Sequence, residues 1–175
     1  MNYFRPRLPP IEGTDLQNIY TLHSLADAQK ICEAVKDKRV VIAGSSFIAM
    51  EVASSIKDIV SSVTVISRSR YPFQSVLGGL VGRAILRHVM RKSKNVYFRG
   101  VDEVRAILGE KGAVAKVLTL RKKIYLCDVL LFAVGAIPNT GFIAPEQRGS
   151  PFLLNTHGYI PVDEVYSYTC TFIPI

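Results

Sequence analysis

Between Val40 and Ala53 the chain reads Val-Val-Ile-Ala-Gly-Ser-Ser-Phe-Ile-Ala-Met-Glu-Val-Ala, and this run constrains the fold more than any other. Four apolar residues, Val40 to Ala43, end at Gly44, and an apolar-periodic helix begins within about two residues. A buried strand that feeds a tight turn into a helix presents backbone N–H groups and the positive end of a helix dipole. That arrangement receives a phosphate. Against a G-x-G-x-x-G/A pattern, the third and sixth places fall on Ser46 and Ala49. Alanine suits the last place, where only a small residue lets helix and strand pack closely. Serine at the middle place is a departure: its Cβ crowds a pyrophosphate, while its hydroxyl has a hydrogen bond to offer. Short Gly/Ser turns also serve as plain connectors, so the run alone leaves both readings open.

The rest of the chain extends the pattern. Residues 1–23, with Pro6, Pro9, Pro10 and Gly13, read as an extended lead-in with little structure of its own. Ser24-Leu25-Ala26-Asp27 resembles a capping box, with Asp27 a shorter substitute for glutamate. The helix it opens carries Leu25, Ala28, Ile31, Cys32 and Val35 on one stripe and is expected to stop near Asp37. The helix after Gly44 is expected to run to about Asp58. Val63–Ile66 is a second β-branched strand, Leu77–Lys92 a third helix, and Val96–Phe98 a short strand. From Val101 to Leu126 the period changes to alternation, through Val114, Lys116, Leu118 and Leu120, with turns near Gly109 and Gly112. Val129–Val134 is apolar on both faces, as a central covered strand must be, and ends at Gly135. The order predicts an α/β, Rossmann-like fold: a mostly parallel sheet with helices on both faces and an inserted antiparallel β-meander.

At 175 residues the chain is long enough for one ordinary domain, which buries roughly 70% of its unfolded surface. No apolar stretch reaches the roughly 18–20 residues of a membrane helix. Cys32, Cys127 and Cys170 are few and far apart, with no metal spacing and no C-x-x-C pair. Each reads as a small buried hydrophobe in a reducing compartment, cytoplasmic or mitochondrial and not secreted. The formal charge of +8 raises a nucleic-acid reading. Much of that excess lies in Arg83, Arg87 and Arg91, which share one helix face, with Lys92, Lys94 and Arg99 nearby. No zinc motif, aromatic-interleaved pattern or nucleic-acid module accompanies them, so a solvated helix face is favoured. His23, His88 and His157 suggest neither a metal site nor a triad.

With this order established, the chain resembles the NAD(P)H-binding domain of FAD-dependent pyridine-nucleotide oxidoreductases. The resemblance rests on blocks in sequence: Ile11 to Leu22, Gly44 to Glu51, Val134-Gly135-Ala136-Ile137-Pro138-Asn139-Thr140, and Gly158-Tyr159-Ile160-Pro161-Val162-Asp163. Gly-Ser-Ser-Phe-Ile at residues 44–48, followed by Pro72-Phe73 and Leu77-Gly78, is most similar to apoptosis-inducing-factor-like flavoproteins. Within these it resembles the Rieske-bearing subgroup related to bacterial ferredoxin reductases. The resemblance implies a lead-in from a flavin domain over 1–23, the nucleotide domain over 24–145, and a return toward the flavin domain over 146–175. The family's two flavin-binding segments have no counterpart in these blocks. The chain is therefore expected to be a fragment that does not hold FAD alone, working with a flavin domain and an iron–sulfur acceptor, Rieske or ferredoxin.

By the same resemblance, Gly44 supplies the tight turn, and Ser45, Ser46, Phe47 and Ile48 supply N–H groups to the pyrophosphate. Glu51 lies near the nicotinamide amide, or is simply an acid favoured by the helix dipole. Gly135-Ala136 closes the carboxyl end of the last parallel strand, where open α/β sheets bind ligands. The acid expected about 20 residues after the turn is absent. Ser67, Arg68 and Arg70 stand there instead, which favours a 2′-phosphate and so NADP over NAD, unless the arginines are only solvated loop charges. No catalytic side chain stands out, in keeping with hydride transfer from nicotinamide to flavin. A non-catalytic dinucleotide-binding module and a basic nucleic-acid-binding fragment remain the alternatives.

Overall fold

The computed structural model describes residues 4–141 and 154–162, with 90–92 by backbone alone. The chain divides into two compact units, one spanning Pro6–Gly135 and the other combining Met1–Arg5 with Ala136–Ile175.

The larger unit is built on a five-stranded sheet in which every pairing is parallel. Its strands are β2 (Ile19–Thr21), β3 (Arg39–Ala43), β4 (Ser62–Ser67), β5 (Val96–Gly100) and β9 (Val129–Phe132), in the spatial order β2-β9-β3-β4-β5. From β3 the chain winds outward through β4 to β5. It then returns to place β9 on the other side of β3, so the direction of winding reverses between β3 and β9. Helices α1 (Leu25–Ala34), α2 (Phe47–Ile56) and α3 (Gln74–Lys92) supply the crossovers and the lead into β3. Strands β6 (Val104–Glu110), β7 (Ala113–Thr119) and β8 (Ile124–Leu126) form the antiparallel meander.

Alternation along β3 shows why its strand must be apolar throughout. Val40 and Ile42 enter a core with Ile31 of α1, with Ala49, Ala53 and Ile56 of α2, and with Val63 and Val65 of β4. Val41 and Ala43 enter a second core with Val104, Ile107, Val114 and Val117 of the meander and Cys127. Each fully buried valine or isoleucine contributes roughly 1.5–3 kcal/mol. The Rossmann-like α/β class, the mostly parallel sheet and the inserted meander are as expected. Helices were expected on both faces, and the difference is that the meander covers the second face, because its inward alternation supplies the apolar layer there.

Local differences have local causes. The proline-containing lead-in contributes β2, an edge strand pairing with β9, since Ile19, Tyr20 and Thr21 align with Leu130, Leu131 and Phe132. The capping box forms: Ser24 Oγ accepts from Asp27 N–H, and the Asp27 carboxylate accepts from Ser24 N–H. Helix α1 stops at Ala34, short of Asp37, whose φ of 57° turns the chain toward β3. Leu25 and Cys32 are exposed, so the expected stripe narrows to its inner residues, and Cys32 is not a buried hydrophobe. Helix α2 ends at Ile56, and β5 runs on to Gly100. Helix α3 begins three residues before Leu77 and kinks at Gly78, leaving Leu80 and Val81 exposed. The β6–β7 turn falls at Lys111 and Gly112, whereas Gly109 lies inside β6 at a register shift. Cys170 and Asp163 lie outside the described residues.

In the smaller unit, β1 (Phe4–Pro6) pairs with β10 (Ala136–Pro138). The Phe4 ring lies 6.4 Å from that of Tyr159. Thr140 Oγ1 donates to the Gly158 carbonyl at 2.7 Å.

Candidate functional site

The carboxyl ends of β3 and β9 meet where the winding reverses, the place at which open parallel sheets leave a crevice. Ala133 N–H donates to the Ala43 carbonyl at 2.8 Å, and Gly44 N–H donates to that of Ile66 at 2.8 Å. The turn is thus fastened to the strands on either side of β3. Gly44 has φ 114°, and a Cβ there would lie 2.2 Å from the Ala133 carbonyl oxygen. No other residue fits.

Ser45 binds the turn to the end of β4. Its hydroxyl lies 2.6 Å from the Ser67 hydroxyl, which also accepts from Ser69 N–H. The Ser45 carbonyl accepts from Phe73 N–H. Ser46 is the N-cap of α2, its side chain makes no capping bond, and its Oγ reaches only the Ala133 carbonyl at 3.4 Å. The first intrahelical bond runs from Met50 N–H to the Ser46 carbonyl. The N–H groups of Phe47, Ile48 and Ala49 therefore have no acceptor within the helix. No acidic residue occupies the first turn. This bare helix start, beside a glycine whose missing Cβ lets the turn close against Ala133, fits a pyrophosphate. Ala49 is fully buried beneath it, as close packing of α2 on the sheet requires. Phe47 and Ile48 are exposed at the mouth, with the Phe47 ring 4.7 Å from that of Phe73.

The structure brings Gly44, Ser45, Ser46, Phe47, Ile48 and Ser67 into one cluster, with Gly135 two residues beyond Ala133. Gly135 has φ 104°, and its carbonyl accepts from Arg7 N–H at 3.0 Å. Ala136 opens β10 in the smaller unit. Glu51 is exposed in the second turn of α2, where it lines a cleft of about 220 Å³ with Leu22, Ala28 and Cys32. Ser67 is 4% exposed, and its hydroxyl is engaged with Ser45 and Ser69. Arg68 and Arg70, both exposed, part company: Arg68 lines a cavity with Arg7 and Glu103, while the Arg70 guanidinium lies 5.7 Å from the Tyr71 ring centre.

Sequence reasoning missed Phe73, Arg7 and Glu103. Phe73 carried a trace in the Pro72-Phe73 pair, but nothing in spacing tied Arg7 to the crevice. Among the described residues, no group of three or more His, Cys, Asp or Glu side chains forms a metal site. At the opposite, amino end of the same strands, Asp128 accepts from Arg39 Nη2 at 2.6 Å and from Arg39 Nε at 2.9 Å. The guanidinium holds the Asp128 carboxyl below its usual range, and the carboxylate raises Arg39. Burial pushes the Cys127 thiol up to about 12.

Fold and crevice together are those of a Rossmann-like α/β unit. The sequence profile of the pyridine nucleotide-disulphide oxidoreductases matches residues 4–173, and the chain belongs to that family. Members are FAD-dependent and use NAD(P)H. The chain is 31% identical to human apoptosis-inducing factor 3 over 160 residues, which is 91% of this chain and 26% of that protein. It is also 31% identical over 142 residues to the ferredoxin–NAD(+) reductase component of the biphenyl dioxygenase system of Paraburkholderia xenovorans, covering 77% of this chain and 32% of that one. Among solved structures it is similar to the NAD-dependent persulfide reductase from A. fulgidus, with a TM-score of 0.79 and 27% identity. That match covers 91% of this chain and 29% of that one. The chain thus spans about a quarter to a third of the length of these relatives.

Proposed function

We propose that this chain is the NAD(P)H-binding part of an FAD-dependent oxidoreductase that passes reducing equivalents to an iron–sulfur acceptor. The observation that carries the reading is the uncapped start of α2 at the winding reversal, flanked by Gly44 and Gly135. When bound, the nicotinamide and flavin supply hydride transfer between them. The chain's own residues bind and orient. Phe47, Ile48 and Ala49 offer unshared N–H groups to the pyrophosphate, and Gly44 lets the turn close against Ala133 at the end of β9. Ser45 and Ser67 hold the turn rigid through their shared hydrogen bond. Glu51 lies one turn further along α2, on the expected nicotinamide side. The iron–sulfur acceptor is supported by the relative named as a ferredoxin–NAD(+) reductase component. No helix among the described residues is long and apolar enough to cross a membrane.

Replacement Ser46→Glu tests the site. A carboxylate at the helix start is favourable for the dipole, so the variant folds. It also sets a negative charge against the pyrophosphate and should abolish NADH and NADPH binding in calorimetry. Unchanged affinity in the folded variant would place the nucleotide elsewhere.

A further inference from the structure

We propose that Arg7 determines cofactor specificity: with Arg68 it forms a two-guanidinium receptor for the ribose 2′-phosphate, biasing the chain toward NADP(H). The proposal rests on the crevice binding a pyridine dinucleotide, and names a residue of that site.

The two side chains come from distant segments and reach one cavity of about 90 Å³. A cavity of that size has room for a phosphate group. Its floor is apolar, made by Ala43 and Phe132 at the ends of β3 and β9 and by Val104 of the meander. Against such a floor a guanidinium–phosphate contact is less screened than in open water.

Both arginines hang from anchored backbone. Arg7 N–H donates to the carbonyl of Gly135, the glycine that ends the strand beside the crevice. Arg68 sits between Ser67, buried and bonded to Ser45, and Ser69, whose N–H donates to Ser67 Oγ and whose carbonyl accepts from Val101 N–H. Neither guanidinium has an ion-pair partner among the described residues, where the carboxylate pairs are Arg39–Asp128 and Lys57–Asp58. Glu103 shares the cavity, so the receptor keeps one net positive charge. A phosphomonoester carries about −1.5 to −2 at neutral pH and gains more from the two guanidiniums than it loses to the single carboxylate. Arg70 does not line this cavity and lies over Tyr71 instead. The expectation drawn from the Ser67-Arg68-Ser69-Arg70 segment therefore changes partner: Arg68 works with Arg7.

The test uses the full chain, titrated with NADPH and NADH by nucleotide fluorescence, with adenosine 2′,5′-bisphosphate as competitor. The wild type should prefer NADPH. Arg7→Ala and Arg68→Ala should each weaken NADPH and the bisphosphate about tenfold or more while leaving NADH within twofold, the scale of one charge-assisted contact. Arg70→Ala should change neither, Arg7→Lys should restore part of the preference, and Glu103→Gln should tighten NADPH. Arg7→Ala weakening both dinucleotides equally, or weakening neither, would overturn the proposal while the crevice reading stands. A preference lost through Arg70 instead would do the same. Failure of both NADH and NADPH to bind the wild type would remove the crevice reading, and this one with it.

Discussion

The closeness of the Gly44 turn to the end of β9 can be measured by a matched pair of substitutions, Gly44→Ala and Gly135→Ala. Both glycines have positive φ, 114° and 104°, in a region that costs a residue with a Cβ about 1–3 kcal/mol. They differ in surroundings. A Cβ at Gly135 meets nothing within 4 Å, whereas at Gly44 it would sit 2.2 Å from the Ala133 oxygen and 2.8 Å from its carbon. Those are backbone atoms and cannot rotate away. Relief has to separate the ends of β3 and β9, weakening the 2.8 Å bond from Ala133 N–H to Ala43, worth about 1 kcal/mol. The shift also disturbs packing around Ala43, and overpacking of this kind costs typically about 1–3 kcal/mol.

Gly44→Ala should therefore be less stable than Gly135→Ala by about 2–4 kcal/mol, the backbone-strain cost cancelling between them. Urea unfolding should show this as a lower midpoint at unchanged slope. For a chain of this size, thermal unfolding should show a gap of roughly 4–16 °C. Gly44→Ala should also lose NAD(P)H binding, because the shift moves the start of α2. Equal destabilisation by the two substitutions would refute the close approach at the centre of the site.

Two further outcomes follow from groups away from the crevice. Asp128→Ala should destabilise by about 1–2 kcal/mol, since it removes the bonds to Arg39 at a site that water still screens. Because Arg39 lowers the folded-state pKa of Asp128, this contribution is present above the unfolded value of about 3.9 and is lost as pH falls through the lower folded one. Urea midpoints of wild type and variant should thus differ near neutral pH and converge in acid; a gap that persists below both values would refute the pairing. Maleimide labelling of the native chain, mapped by peptide mass, should modify exposed Cys32 and spare Cys127, which is fully buried with its pKa raised to about 12. Labelling of Cys127 without unfolding would show that the meander opens.

How far the site was legible follows from the range of the forces that make it. The strand, glycine and helix start of residues 40–53 are set by neighbours in sequence: apolar period, small-residue packing at Ala49, and the missing Cβ at Gly44. Those could be read. The β6–β8 layer announced itself by alternation, but not that it would replace a helical layer, because an inward-facing valine has no mark saying which apolar surface will cover it. Edge strand β2 was hidden for a related reason: three residues carry too little periodicity, and its place comes from pairing with β9. Ser67 shows the limit most clearly. At the end of β4 it was expected, with Arg68 and Arg70, to favour a 2′-phosphate, yet its hydroxyl is turned inward to Ser45, a contact between residues that only the sheet brings together. The fold likewise brings Arg7 and Arg68 to one cavity, while Arg70, two residues from Arg68, turns to Tyr71. Spacing along the chain locates where a phosphate can approach; the strand order decides which charges are there to meet it.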